Sequence, residues 1–114
     1  MRVFTVAFPP STNTAYVNGR KGRHLSKKAR AYKDRATLVF RGNIPTDDFY
    51  CVSIHLHPPT LTKRDCGNYE KLITDCMTGH IYNDDSQIKE LHIFMHHKDG
   101  SDPRAEIEVS KIKW

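Results

Sequence analysis

The sequence predicts an α+β fold in which two helices pack on one face of a mixed β-sheet, a single domain over residues 1–114. Three observations carry this reading. Four segments have the apolar-polar alternation or β-branched, aromatic composition of strands, two repeat apolar residues at helical spacing, and the helices fall between the strands. With 114 residues, surface-to-volume scaling leaves room for one core and little for a second. No linker, internal repeat or low-complexity tract divides the chain.

Residues 2–8 alternate like a strand and end at Pro9-Pro10, since proline supplies no ladder donor. Ser11, Thr12 and Asn13 then favour a turn, and a short segment near Tyr16 has the character of a further, paired strand. After the loop 18–23, Ser26 is placed to cap a helix. Leu25, Ala29, Tyr32, Ala36, Val39 and Phe40 recur at helical spacing, and Gly42 stands where a left-handed cap is usual. Residues 49–57 are rich in β-branched and aromatic side chains, with Tyr50, Val52, Ile54 and Leu56 on one face and Cys51, Ser53, His55 and His57 on the other, until Pro58-Pro59 stops the strand. Tyr69, Leu72, Ile73, Cys76 and Met77 form one apolar helical stripe, with Gly79 just past its end. Residues 88–97 and 104–112 read as strands joined by a loop with hairpin chemistry, Lys98-Asp99-Gly100-Ser101-Asp102-Pro103.

At 38% hydrophobic and 27% charged residues, the composition is that of an ordinary soluble domain, and no apolar run approaches the length that crosses a bilayer. The first residues lack the apolar stretch and small-residue cleavage site of a secretion signal, so a cytoplasmic protein is expected. Cys51, Cys66 and Cys76 are an odd number without paired spacing, which suggests neither a disulfide framework nor a structural zinc site. The net charge of +5 is unevenly spread: residues 19–35 hold eight Lys or Arg against one acid, Asp34. Such clustering is the footprint of a polyanion binder, because counterions released from nucleic acid drive association. A solvated helix face would look the same from charge alone.

Acidic residues flank the second helix. Asp65 lies just ahead of it, Asp84 and Asp85 fall in the turn behind it, and one helix can therefore bring the three carboxylates together to hold a divalent cation against a phosphate. Asn68, Lys71 and Asp75, three and four residues apart, share the polar side of the helix. Each aspartate taken singly is equally explained as a turn or cap residue; the case for function is the constellation, with a same-face lysine in a basic chain. His55 and His57 with Asp65, or His96-His97, invite a zinc reading, but adjacent histidines alternate faces and no cysteine pair supports it. The histidines are expected at the surface touching backbone phosphates, and Tyr32 and Trp114 as core or interface aromatics.

Several of these residues together resemble the RusA-type Holliday-junction resolvases: Pro9-Pro10-Ser11-Thr12-Asn13 after the first strand, Ser26 and Tyr32 in the basic helix, Arg64-Asp65-Cys66-Gly67-Asn68 with Lys71 and Asp75, and Asp84-Asp85-Ser86-Gln87-Ile88. The resemblance runs from the first strand to the last. It implies a RusA-like fold and a homodimer, in a bacterial or phage-infected cell, that binds four-way DNA junctions and makes paired nicks with Mg2+ or Mn2+. The family motif reads Asp, any residue, Asp, Asn, with a lysine three positions on and a further essential aspartate in the Asp-Asp-Ser/Ala-Gln turn. Carried over, it implies Asp65, Lys71 and Asp85 as catalytic residues, Asp65 and Asp85 as metal ligands, Asn68 and Asp75 as supporting residues and Asp84 as an auxiliary acid. Arg20, Lys21, Arg23, Lys27, Lys28 and Arg64 are the expected DNA contacts.

Gly67 departs from the pattern at the second aspartate. If position 67 caps the second helix, with Glu70 at the position of a capping box, glycine there costs the helix only a few tenths of a kcal/mol. Magnesium relies on one or two carboxylates besides water and phosphate oxygens, so losing one of three acids removes much of the cation's stabilisation. Weakened or abolished cleavage with DNA binding kept is the expectation. Gly67 is read as an inactivating change in an active enzyme, as the mark of a binding-only protein, or as a gap filled by Asp84, Asp75 or water, and the sequence leaves the three open. A non-catalytic junction-binding protein on the same scaffold is the alternative, with an RNA-binding or RNA-cleaving domain behind it.

Overall fold

The computed structural model describes residues 1–114. Its strands are β1 (Arg2–Ala7), β2 (Tyr16–Gly19), β3 (Gly22–Leu25), β4 (Phe49–His57), β5 (Ile88–Met95) and β6 (Arg104–Ile112), and its α-helices are α1 (Thr12–Ala15), α2 (Lys27–Phe40) and α3 (Glu70–Met77). Short 3-10 turns, Cys66–Asn68 and Asp85–Gln87, precede α3 and β5. β1, β6, β4 and β5 form a mixed sheet in that order, with β4 antiparallel to β6 and parallel to β5. β2 and β3 make a separate hairpin.

α2 starts where Ser26 Oγ accepts the Ala29 amide proton at 3.2 Å, and it ends before Gly42, whose φ of +92° needs no Cβ. It buries Ala29, Tyr32, Ala36 and Phe40, while α3 buries Leu72, Ile73, Cys76 and Met77. The two helices pack on each other, and α2 packs on β1. With Tyr50, Val52, Ile54 and Leu56 of β4 and Ala105, Ile107 and Val109 of β6, they enclose one core of 20 buried residues. The fold class is therefore the expected one. The tetrad Thr12–Ala15 is helical rather than a bare turn, anchored by the Thr14 and Ala15 amides donating to the Ser11 carbonyl at 3.1 and 2.8 Å.

The expected hairpin between residues 88–97 and 104–112 does not form. β6 instead enters the sheet between β1 and β4, and residues 96–103 cross from one side of β4 to the other. The cause lies in the apolar faces. β4 carries an unbroken buried alternation, β6 carries one from Ala105 to Val109, and the two pair over nine positions, from Phe49 with Ile112 to His57 with Arg104. β5 leaves Leu91 and Phe94 exposed and takes the edge. Consecutive strands pair often, but the interior places go to the strands that bury a full face.

Replacing Ile54, fully buried in the central strand, by alanine is expected to lower the unfolding free energy by about 2–5 kcal/mol in urea denaturation. A loss below about 1 kcal/mol would contradict the packing described.

Candidate active site

α3 organises the polar residues around it. Its apolar stripe is sealed against the core, so Lys71 and Asp75, one turn apart, stand together on the outer side. Asp75 is not a casual surface acid. Its Oδ2 accepts a 2.6 Å hydrogen bond from the Tyr16 hydroxyl and lies 3.6 Å from Lys71 Nζ. The Lys71 ammonium also sits over the Tyr16 ring, 5.6 Å from its centroid, and the Arg23 guanidinium lies 5.0 Å from the same centroid. Partial burial pushes the Tyr16 phenol well above its ordinary pKa, and the hydrogen bond to Asp75 adds to the effect. The phenol therefore stays a donor at any physiological pH. Tyr16 thus ties the basic hairpin to α3, a role its sequence position gives only as a short strand; the aromatic residue beside a basic loop was the available signal.

The segment ahead of α3 is positioned by the first loop. Thr12 Oγ1 donates to the Asn68 carbonyl at 2.9 Å, and Phe8 packs on Tyr69 with ring centroids 5.2 Å apart. The helix begins at Glu70 with Tyr69 as its cap, so Gly67 is not the N-cap and the capping box with Glu70 is absent. Residue 67 lies inside the 3-10 turn, because Asp65 already starts that turn and the Asn68 amide donates to the Asp65 carbonyl at 3.1 Å. The φ of Gly67 is not positive, and a Cβ built there meets nothing within 4 Å. The backbone does not require glycine at this position, and an aspartate would fit. Glu70, in the first turn, has a buried carboxylate oxygen without a hydrogen-bond partner, and a cation beside it would offset the cost of that burial. Sequence reading gave Glu70 only a capping role, and nothing in the chain signals that its oxygen is buried.

The turn behind α3 is clamped by one side chain. Gln87 Oε1 accepts the backbone protons of Asn83 and Asp84 at 2.8 and 3.0 Å, and Nε2 donates to the carbonyls of Thr46 and Asp48, both at 2.8 Å. Asp84 Oδ2 accepts from the Ser86 amide at 3.0 Å, and the Ser86 hydrogen bonds hold its carboxyl below the usual carboxylate range. Asp84 is thus committed to the turn. Asp85 and Asp65 are exposed, and their carboxylates have no hydrogen-bond or ion-pair partner. Asp85 and Asp75 both lie within electrostatic reach of the Tyr82 hydroxyl, whose pKa is raised first by burial and then by these carboxylates. The turn therefore flanks the same helix as Lys71. The oxygens of Asp65, Asp84 and Asp85 do not all come within 4.8 Å of one another, so the expected convergence of three acids is corrected: Asp84 faces its own turn, leaving Asp65 and Asp85 as carboxylates with open coordination.

The basic residues split into two groups. Arg20 and Lys21 form the turn of the β2–β3 hairpin, Arg23 lies on β3, and Lys27 and Lys28 occupy the first turn of α2, all exposed. Cations at a helix N-terminus oppose the helix dipole, and α2 has no acid in its first turn to offset them. Arg64 is used differently. Its Nη1 donates to the carbonyls of Thr60 and Thr62 at 3.1 and 3.0 Å, its Nη2 to Thr60 Oγ1 at 2.8 Å, and it lies over the Phe8 ring. These bonds brace residues 60–64, just ahead of Asp65.

His55, His57 and His96 are elsewhere, on the sheet face away from the helices. His57 Nε2 lies 2.7 Å from Glu106 and His55 Nε2 3.3 Å from Glu108; His55 and His96 are linked at 2.8 Å, and His57 stacks on His96. Asp65 takes no part in this cluster. The rings of His55 and His57 are thus engaged with carboxylates of their own sheet face. Trp114 is 77% exposed, against Phe49 and beneath the Lys89 ammonium, so it is not a core residue.

A small α+β protein with a basic hairpin and helix beside a lysine-carboxylate site defines a class of polyanion-directed proteins. A sequence model of the family described as Endodeoxyribonuclease RusA matches residues 7–110, and the chain belongs to that family. It is 27% identical over 93 residues to the crossover junction endodeoxyribonuclease RusA of Enterobacteria phage 82, covering 78% of each chain. It is 28% identical to the protein of that name from Shigella sonnei (strain Ss046) and 27% to that from Escherichia coli (strain K12), again over 78% of each. No helix is long and apolar enough to cross a membrane.

Gln87→Ala removes all four clamp bonds and is expected to lower stability by about 1–3 kcal/mol in thermal or urea unfolding; an unchanged midpoint would show that the clamp does not hold the turn. Partial desolvation of the exposed His96 ring, followed by the nearness of His57 and His55, holds its pKa below the ordinary 6.5. The unfolded chain then binds the proton more readily, so this contribution to stability is present above pH 6.5 and is lost as pH falls through the lower folded value. The thermal midpoint of the wild type should therefore drop more steeply on acidification below pH 6.5 than that of His96→Gln. Parallel profiles would contradict it.

Proposed function

We propose that this protein is a Holliday-junction resolvase, an endodeoxyribonuclease that binds four-way DNA junctions as a homodimer, makes paired nicks with Mg2+ or Mn2+, and cleaves weakly because Gly67 replaces an acid. It acts in the cytoplasm of a bacterial or phage-infected cell. The observation that carries the reading is the Lys71–Asp75–Tyr16 assembly, flanked by the unpartnered carboxylates of Asp65 and Asp85 in a RusA-family chain. The names of the relatives, crossover junction endodeoxyribonucleases, supply the substrate class.

The residues suit a hard, hydrated divalent cation. Carboxylate oxygens are the donors such an ion takes, Asp65 and Asp85 have none of their capacity spent internally, and the orphaned oxygen of Glu70 lies in the intervening helix. Asp65 and Asp85 would hold the ion, with Asn68 supporting the site. When bound, the ion supplies an activated water and neutralises charge on the phosphate oxygens. Lys71, oriented by Asp75 and Tyr16, places its ammonium toward the scissile phosphate, where a preorganised charge is worth a few kcal/mol. Arg20, Lys21, Arg23, Lys27 and Lys28 gather the DNA backbone, and the two-fold junction calls for a two-fold protein.

A non-catalytic junction binder is the second reading, favoured by Gly67 itself, since the open space beside it carries no acid. Incubation with labelled four-way junction and Mg2+ separates the two. Wild type and Gly67→Asp should shift the junction equally, and the variant should nick at least about 10-fold faster, which corresponds to about 1.4 kcal/mol of transition-state stabilisation. Lys71→Ala in the Gly67→Asp background should cut nicking by about 100-fold with little loss of binding. A shift without nicking in wild type and variant alike would establish the binder.

A further inference from the structure

We propose that Cys51, Glu90 and His92 form a second metal site, for a borderline transition ion such as Zn2+, on the sheet face opposite the helices. One donor atom from each of the three lies within 4.8 Å of the others, and Glu90 Oε1 is 3.6 Å from His92 Nε2. Donors around a tetrahedral zinc stand roughly 3.3–3.8 Å apart, given bond lengths of about 2.0–2.3 Å. Closing from the observed spread to that separation needs only rotamer adjustment of two exposed side chains.

The backbone is shaped for this meeting. In the parallel pairing of β4 and β5, Tyr50 stands opposite Ile88, but Cys51 stands opposite Glu90, so one residue of β5 is skipped. Bulges are rare in parallel pairs, and they re-aim a side chain. Here the irregularity sends Lys89 to Phe49 and Trp114 and brings Glu90 level with Cys51. In regular pairing Lys89 would stand opposite Cys51, and an ammonium in that place would repel a cation. His92, two residues on, returns to the same face and pairs with Ser53.

The donor set separates this site from the one on α3. Thiolate and imidazole select zinc-like ions, whereas carboxylate and water suit magnesium. Three protein ligands leave a fourth position to water. Binding exchanges the thiol proton for the metal, with the proton passing to solvent, so no oxidant or reductant enters and affinity rises with pH. The ion would staple β5, an edge strand of the sheet, to β4. Because β5 follows directly on the Asp85–Gln87 turn, occupancy would also stiffen the root of that turn.

Metal-stripped protein titrated with Co2+ tests this. The expected result is a thiolate-to-cobalt charge-transfer absorption that saturates at one equivalent per chain, survives in Cys66→Ser and vanishes in Cys51→Ser. The double variant Glu90→Gln/His92→Ala, confined to exposed side chains, should weaken Co2+ binding by at least about 10-fold, and this arm stands even if Cys51→Ser fails to fold. Zn2+ should raise the thermal midpoint of the wild type but not of the double variant. Absence of the band, its loss in Cys66→Ser, or unchanged affinity in the double variant would overturn the proposal.

Discussion

The rotation of α3 about its own axis is the constraint on which the site depends. Leu72, Ile73, Cys76 and Met77 are sealed in the core, and an eight-residue helix with that stripe buried has one orientation available. Lys71 and Asp75 are thereby fixed on the opposite side, where the Tyr16 hydroxyl meets Asp75. The hairpin that carries Arg20, Lys21 and Arg23 is in turn held by the same tyrosine. Core packing, lysine orientation and the placement of the basic hairpin are therefore one event, and a slip of α3 would disturb all three. Burial pushes the Cys76 thiol up to about 11, so this cysteine belongs to the packing and not to the chemistry.

Around this helix, neighbouring acids have separate fates. Asp84 satisfies its own turn, Asp75 binds a phenol and an ammonium, and Asp65 and Asp85 keep open oxygens. Gly67 lies next to Asn68 in a turn that imposes no positive φ and leaves its Cβ position empty. Folding of the turn thus does not call for glycine at this position.

Much of this was legible in the chain. The burial of β4 follows its alternation residue by residue, α2 begins at the capping serine, and the apolar stripe of α3 is the one its spacing specifies. The pairing of β5 and β6 was not legible, because turn chemistry in residues 98–103 is local while the competition for the central sheet positions is global. The site divides in the same way. Lys71 with Asp75 follows from helical spacing, whereas Tyr16 reaches Asp75 across 59 residues and the clamp of Gln87 onto Thr46 and Asp48 across about forty. The cluster of Cys51, Glu90 and His92 depends on a skipped residue in a parallel ladder, a feature that no periodicity encodes.

The central claim is that Asp65 and Asp85, on either side of α3, share one cation beside Lys71. Anomalous diffraction from crystals of the protein bound to a four-way junction and soaked in Mn2+ tests it most directly. The account predicts a manganese peak bounded by carboxylate oxygens of Asp65 and Asp85, with a DNA phosphate between the ion and Lys71. A bound junction whose phosphates lie away from α3, with those two carboxylates too far apart to share an ion, would contradict it.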